Sequence, residues 1–239
     1  MTTLKIKFMS KLIIANFKSN KNREEYEQWV DIFERGVQKV GEHVAIVLAP
    51  PLVNLMFFSN RLMGKKTHPH TSLGVQDISP FPAGSYTGAV GTRNLDGFDV
   101  RYAIIGHSER RKYFKETNID IANKVQEALA AKITPIVCVT KDECAATANA
   151  IESSDRKKCV VAFEPIEHIG TGTADTLEDI VKTKEWVTTA FGNVPYIYGG
   201  SVSASTDTAI LTHASIDGFL VGHACLDPHE FLSLLRQIR

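Results

Sequence analysis

Three ionisable side chains follow apolar, strand-like runs in this 239-residue chain. Lys18 comes just after Leu12-Ile13-Ile14-Ala15-Asn16. His107 comes after Tyr102-Ala103-Ile104-Ile105-Gly106. Glu164 closes Cys159-Val160-Val161-Ala162-Phe163. A lysine, a histidine and a glutamate at three strand ends are residue types suited to acid–base chemistry if they converge on one mouth. Taken singly, each has a plainer reading: Lys18 as surface charge, His107 as a helix cap, Glu164 as a solvated loop-entry acid. Two glycine turns suggest what the third partner would be. Tyr198-Gly199-Gly200-Ser201 and Val221-Gly222-His223-Ala224 each follow an apolar run. Glycines allow close backbone approach, and amides at a helix start favour an anion. The set therefore reads as phosphate on one side and acid–base chemistry on the other.

The elements that must position these groups repeat along the chain. Strand-like runs occur at 12–16, 44–49, 72–76, 102–106, 134–139, 159–163, 194–198 and 217–221. Between them lie helical patterns. Tyr26, Trp29, Val30, Phe33, Val37 and Val40 mark one face; Ile119, Ala122, Val125 and Leu129 another; Leu177, Ile180, Val181 and Val187 a third; Phe231, Leu234, Leu235 and Ile238 the last. Mostly apolar strands are those of a parallel sheet covered by helices. Eight such units in a chain of this length predict an α/β fold, a closed single-domain (β/α)8 barrel over residues 1–239, with 1–10 a short N-terminal extension. In that architecture chemistry sits at the strand C-terminal ends, where Lys18, His107 and Glu164 fall.

Composition narrows the partners. Lys+Arg and Asp+Glu number 27 each, so no global field is built for nucleic acid or a membrane surface. No apolar run approaches the roughly 18 residues of a membrane span. The N-terminus is too short and too broken by lysine for a signal peptide, which predicts a cytoplasmic protein. Cys138, Cys144, Cys159 and Cys225 form no CxxC pair and read as buried free thiols rather than a disulfide or metal set.

These motifs, in this order, resemble the triosephosphate isomerase family over nearly the whole length: "ANFK" at 15–18, "IIGHSERR" at 104–111, "AFEP" at 162–165, "IGTG" at 169–172, "YGGSV" at 198–202 and "DGFLVGHA" at 217–224. The resemblance implies interconversion of dihydroxyacetone phosphate and glyceraldehyde 3-phosphate through an enediol(ate), with no cofactor and no metal. It implies Glu164 as base, His107 as a neutral electrophile, Lys18 as the fixed charge, Asn16 as a donor beside it, and Glu109 as the carboxylate ordering Lys18. Ser201, Gly222, His223 and Gly170 would bind the phosphate. The loop carrying Gly170 would act as a lid hinged near Pro165. "GSYTG" at 84–88 is similar to the family's inter-subunit loop and implies a homodimer. Two readings stand behind this one: an isomerase for a four-carbon sugar phosphate, and a non-catalytic phosphate-binding barrel.

The chain departs from the family pattern in several places. Glu167 and His168 occupy the first lid hinge, where many members carry Trp, and Thr173-Ala174-Asp175 the second. Cys138-Val139-Thr140-Lys141 stands where "CIGE" is frequent, so an acid is missing after the fifth strand. Ala89 stands where the inter-subunit loop often carries a carboxylate, which predicts an Arg110 without its partner. His223 stands where glycine is common.

Overall fold

A computed structural model describes residues 11–63, 70–165, 176–206, 208–213 and 215–238. The expected lid with Gly170, and the expected extension at 1–10, lie outside the described residues. The strands are β1 (Lys11–Asn16), β2 (Val44–Ala49), β3 (Thr71–Val75), β4 (Val100–Ile105), β5 (Thr134–Val139), β6 (Val160–Phe163), β7 (Tyr196–Tyr198) and β8 (Gly218–Val221). All pair in parallel and in sequence order, and β8 returns to β1, so the sheet closes into an eight-stranded barrel. Closure is tight at one point. Gly218 pairs with Leu12, and a Cβ on Gly218 would stand 1.8 Å from the Leu12 carbonyl oxygen.

Helices α1 (Arg23–Val37), α2 (Leu55–Phe58), α3 (Ser108–Phe114), α4 (Asn118–Ala130), α5 (Lys141–Ala150), α6 (Ser153–Arg156), α7 (Leu177–Phe191), α8 (Ile210–His213) and α9 (Pro228–Gln237) cover the outside. Their starts are written locally. Asn22 caps α1 and Thr117 caps α4, each in a reciprocal capping box, and Thr176 caps α7. Among the described residues no helix is long and apolar enough to cross a membrane.

Strand alternation sorts the core into two layers. Leu12, Ile14, Ile104, Ile136, Cys138, Val160, Ala162 and Leu220 belong to the cluster filling the barrel. Their neighbours Ile13, Ala15, Ile105, Val137, Val161 and Phe163 point outward and pack with the helices. The helix faces expected from periodicity are partly corrected. On α4, Ile119 is exposed and Ile121, Val125 and Ala128 are buried. On α7, Leu177 and Val181 are exposed, while Ile180, Thr183, Val187 and Phe191 face the barrel. Ile119 and Leu177 stand in the first turns of their helices, and Val181 follows Ile180 at the edge of the buried stripe. The four cysteines are free and buried, as expected. Burial pushes every thiol above its ordinary value, to about 11 for Cys144 and about 12 for Cys159, which leaves them poor nucleophiles.

Candidate active site

The same alternation that builds the barrel core delivers side chains to its mouth. On β1, Leu12 and Ile14 point inward, and Asn16 is the next residue of that face. On β6, Val160 and Ala162 point inward, and Glu164 follows them. On β8, Leu220 points inward and Gly222 follows. Each strand simply runs one inward position past its apolar core. His107 arrives differently. Alternation would turn it outward with Ile105, but Gly106 adopts φ 72°, a conformation that favours glycine. The extended run ends there. His107 becomes the N-cap of α3, its Nδ1 accepting the Glu109 backbone N–H at 3.3 Å.

In the neutral ring that bond selects the tautomer. With Nδ1 accepting, the ring proton lies on Nε2, which faces Glu164 Oε1 at 2.8 Å. The second carboxylate oxygen, Oε2, accepts the Ser108 backbone N–H at 2.8 Å. Both groups are buried, Glu164 to 2 % exposure. Burial lowers the His107 pKa. The Glu164 charge and hydrogen bond raise it, Glu109 adds to the rise, Lys18 opposes it, and the net result lies above the ordinary histidine value. The rise depends on Glu164 staying where it is. Once the carboxylate moves off, burial and the capping bond favour the neutral imidazole expected from the sequence.

Lys18 stands across the mouth. Its Nζ pairs with Glu109 Oε1 at 2.6 Å. Its backbone is held from three sides. Asn16 Oδ1 accepts the Lys18 N–H at 3.1 Å. Phe17, just before it, packs edge-on against Tyr26 and Trp29 with ring centroids 5.5 and 4.9 Å apart. Gln76 Nε2 donates to the Lys18 carbonyl at 3.0 Å and to the Ala49 carbonyl at 2.8 Å, tying the ends of β1 and β2 together. Lys18 itself has φ 51°, a conformation uncommon outside glycine, which fits a backbone constrained from its surroundings. Gly222 reaches the same place from β8: a Cβ there would lie 3.5 Å from Lys18 Cε.

Asn16, Lys18, His107, Glu164, Ser201, Gly222 and His223 all line one cavity of about 450 Å³. Glu109 reaches this group through Lys18, and Gly170 lies outside the described residues. The glycine turn after β7 differs in detail from the sequence reading. The Gly199 N–H donates to the Phe163 carbonyl at 2.8 Å, so it serves the β6–β7 ladder rather than a ligand. Gly199 has a steric role instead: a Cβ would approach the Phe163 carbonyl oxygen to 3.1 Å and Glu164 Cγ to 3.5 Å. The turn after β8 is anchored from outside, where Trp29 Nε1 donates to the Cys225 carbonyl at 2.9 Å.

Two acids expected to be missing are replaced within the chain. Glu143, on the first turn of α5, comes within 3.4 Å of Arg111 Nε. Arg111 also donates to the Gly106 carbonyl and to Thr147 Oγ1, bracing the end of β4. Arg110 is not left without a partner: its Nη2 meets Asp77 Oδ2 at 2.8 Å, and its Nε meets Glu116. The sequence reading missed Gln76. Its position carries a signal, because Gln76 follows Ser72 and Gly74 on the inward face of β3, but an amide does no acid–base chemistry.

The family model described as triosephosphate isomerase matches residues 11–238. A curated relative named triosephosphate isomerase, from Mesomycoplasma hyorhinis, is 36% identical over 95% of this chain and 98% of its own length. Relatives of the same name from Mycoplasmopsis pulmonis and Gloeothece citriformis are 32% and 34% identical, covering 94% and 95% of this chain and 96% and 99% of theirs.

Proposed function

This chain belongs to the triosephosphate isomerase family, and on that premise we propose a residue-by-residue account of how its barrel mouth carries out the reaction. The protein is an isomerase that interconverts dihydroxyacetone phosphate and D-glyceraldehyde 3-phosphate, a step of glycolysis and, in reverse, of gluconeogenesis. The observation that carries the account is the 2.8 Å approach of Glu164 Oε1 to His107 Nε2, with Lys18 across the same cavity. Glu164 takes a proton from the carbon beside the carbonyl. His107, neutral and protonated on Nε2, donates to the carbonyl oxygen as charge builds there. The enediol(ate) is then reprotonated by Glu164 on the neighbouring carbon, and the imidazole moves the hydroxyl proton between the two oxygens, so no proton is gained or lost overall. Lys18 offsets the charge of phosphate and oxyanion, Glu109 orders it, and Asn16 holds its backbone. Ser201, Gly222, His223 and Gly170 hold the phosphate.

This arrangement of Glu164 and His107 is a resting one. Both oxygens of Glu164 are occupied, by Ser108 N–H and by His107, so the carboxylate must leave at least one of them to reach substrate carbon. Lid closure over the phosphate would supply that movement and exclude water from the enediol(ate). The site of action is the cytoplasm. The protein is a homodimer through the loop around Gly84–Gly88. In support, Phe81 and Tyr86 stack with ring centroids 4.6 Å apart on an exposed loop. A separate cavity of about 630 Å³, bordered by Pro50, Pro51, Leu52 and Phe114, opens beside Lys18. Among the described residues of the mouth nothing favours a four-carbon substrate or a non-catalytic barrel. A coupled assay of glyceraldehyde 3-phosphate isomerisation by the purified protein tests the account. Turnover lost in Glu164→Gln is the expected result; turnover unchanged in that variant would remove Glu164 as the base.

A further inference from the structure

The charges around the mouth do not balance on the side that receives the phosphate. Lys18 is already paired with Glu109 at 2.6 Å, and His107 with Glu164 at 2.8 Å. Two further charged or titratable side chains line the same cavity: Glu230 on the first turn of α9, and His223 at the start of the turn after β8. His223 is exposed and Glu230 half-buried. Neither side chain makes a hydrogen bond or ion pair with another described residue. A dianionic phosphate entering here meets one paired ammonium and one unanswered carboxylate, an unfavourable field in a cleft with low-dielectric walls. Among the described residues lining the cavity, His223 is the uncommitted group that can become a cation. Lys21, Asp227 and His229 stand near the same turn without lining the cavity.

We propose that the His223 side chain is a second counter-charge for the substrate phosphate: it takes up a proton from solvent as the phosphate binds, and Glu230 holds the resulting imidazolium. The proposal rests on the phosphate reading above and deepens it. A backbone amide contact at residue 223 would serve with any side chain, whereas a proton-linked contact needs an imidazole. A histidine changes charge between about pH 5 and 8, and an anion beside it favours the charged form. Here two anions act together, the incoming phosphate and the Glu230 carboxylate. An imidazolium has two N–H donors, one for a phosphate oxygen and one for Glu230. Glu230 repels the ligand by itself and becomes useful only through His223, which accounts for both residues on one wall. The pair thereby reads ligand charge: a dianion recruits the proton, and a neutral sugar hydroxyl does not.

The test is calorimetric titration with sulfate, a dianion that does not itself titrate near neutrality, at about pH 7.5 in buffers of different ionisation enthalpy. The slope of binding heat against buffer enthalpy counts the protons taken up. Wild type should take up a measurable fraction of a proton per sulfate. His223→Gln, which keeps the backbone amide, should abolish that uptake and weaken binding about fivefold to tenfold. Glu230→Gln should weaken binding about threefold in wild type, yet strengthen it in the His223→Gln background, where the carboxylate can only repel. No uptake in wild type, uptake that persists in His223→Gln, or tighter binding from Glu230→Gln in both backgrounds would overturn the proposal and leave the phosphate site standing. Wild type that binds no sulfate would overturn the phosphate reading and the proposal with it. Circular dichroism checks that the variants fold; if they do not, the imidazole nitrogen shifts of wild-type His223 with and without sulfate decide, and a ring that stays neutral would overturn the proposal.

Discussion

Replacing Glu164 by Gln should do more than remove a base, because three hydrogen bonds meet at this point and their donors and acceptors are matched one to one. Ser108 N–H, the ring N–H of His107 and Glu109 N–H are the donors. The two Glu164 oxygens and His107 Nδ1 are the acceptors. Glutamine turns one acceptor into a donor, so the three contacts cannot all survive. If the amide oxygen stays on Ser108, its NH2 faces a ring N–H. The cheapest relief is to move the ring proton to Nδ1, which then points at Glu109 Oε2, now 3.6 Å away. The N-capping bond of α3 is lost in exchange, worth about 1 kcal/mol, or about 2–4 °C in melting temperature for a chain of this size. The kinetic cost is larger. General-base loss alone is worth about 10²–10⁴, and the flipped ring no longer offers a proton on Nε2 to the carbonyl. We expect kcat/KM to fall at least about a thousandfold, or about 4 kcal/mol. Progress curves give the rate, and nitrogen chemical shifts of the imidazole give the tautomer. Turnover within about tenfold of wild type would refute Glu164 as base. An imidazole still protonated on Nε2, with unchanged stability, would refute the matched-donor argument.

Other perturbations test other parts of the mouth. His107 has a pKa raised by Glu164, so the stabilisation from the protonated pair should be complete below the ordinary histidine value of about 6.5 and lost as pH rises through the raised native value. Parallel pH profiles of melting temperature for wild type and His107→Gln would contradict this. Gly218→Ala puts a Cβ 1.8 Å from a backbone oxygen that cannot rotate away, so β1 and β8 must part; a loss above about 4 kcal/mol is expected, and cooperative unfolding at the wild-type temperature would exclude it. Gln76→Met deletes the donor to the Lys18 and Ala49 carbonyls. It should cost about 1–3 kcal/mol by leaving buried acceptors unmet and lower kcat/KM about tenfold; unaltered kinetics would show that Lys18 is held without it.

The barrel was legible because its strands are short apolar runs at regular spacing, and the rule that places function at their C-terminal ends needs no contact map. Asn16, Lys18, His107 and Glu164 could be picked out by type and position, and they line one cavity. What periodicity could not resolve was where each helix first meets the sheet. Ile119 and Leu177 satisfy the helical pattern and still face solvent, because the pattern marks a stripe and the docking distance decides how much of it is covered. The Gly199 amide is a similar case: a glycine after a strand suggests an anion site, yet here its N–H completes a ladder.

The harder limit lies with groups that compensate one another across the chain. Read one position at a time, Ala89 and the missing acid after β5 are losses. In three dimensions Asp77, Glu116 and Glu143 restore charge to Arg110 and Arg111 from three different segments. A buried guanidinium demands a partner because the cost of leaving it unpaired exceeds what most single contacts contribute, but it does not specify which segment supplies it. Sequence spacing therefore predicts strongly the groups whose place is set by a strand end, and weakly those whose only requirement is opposite charge within reach. His107 sits between the two kinds. Its place follows from Gly106 and the helix start, while its protonation is set by Glu164, reached through a different strand. In the mechanism proposed above the chemistry of this mouth depends on moving Glu164 away from His107, so the contact that matters most for that mechanism is one that must be broken, which no single segment encodes.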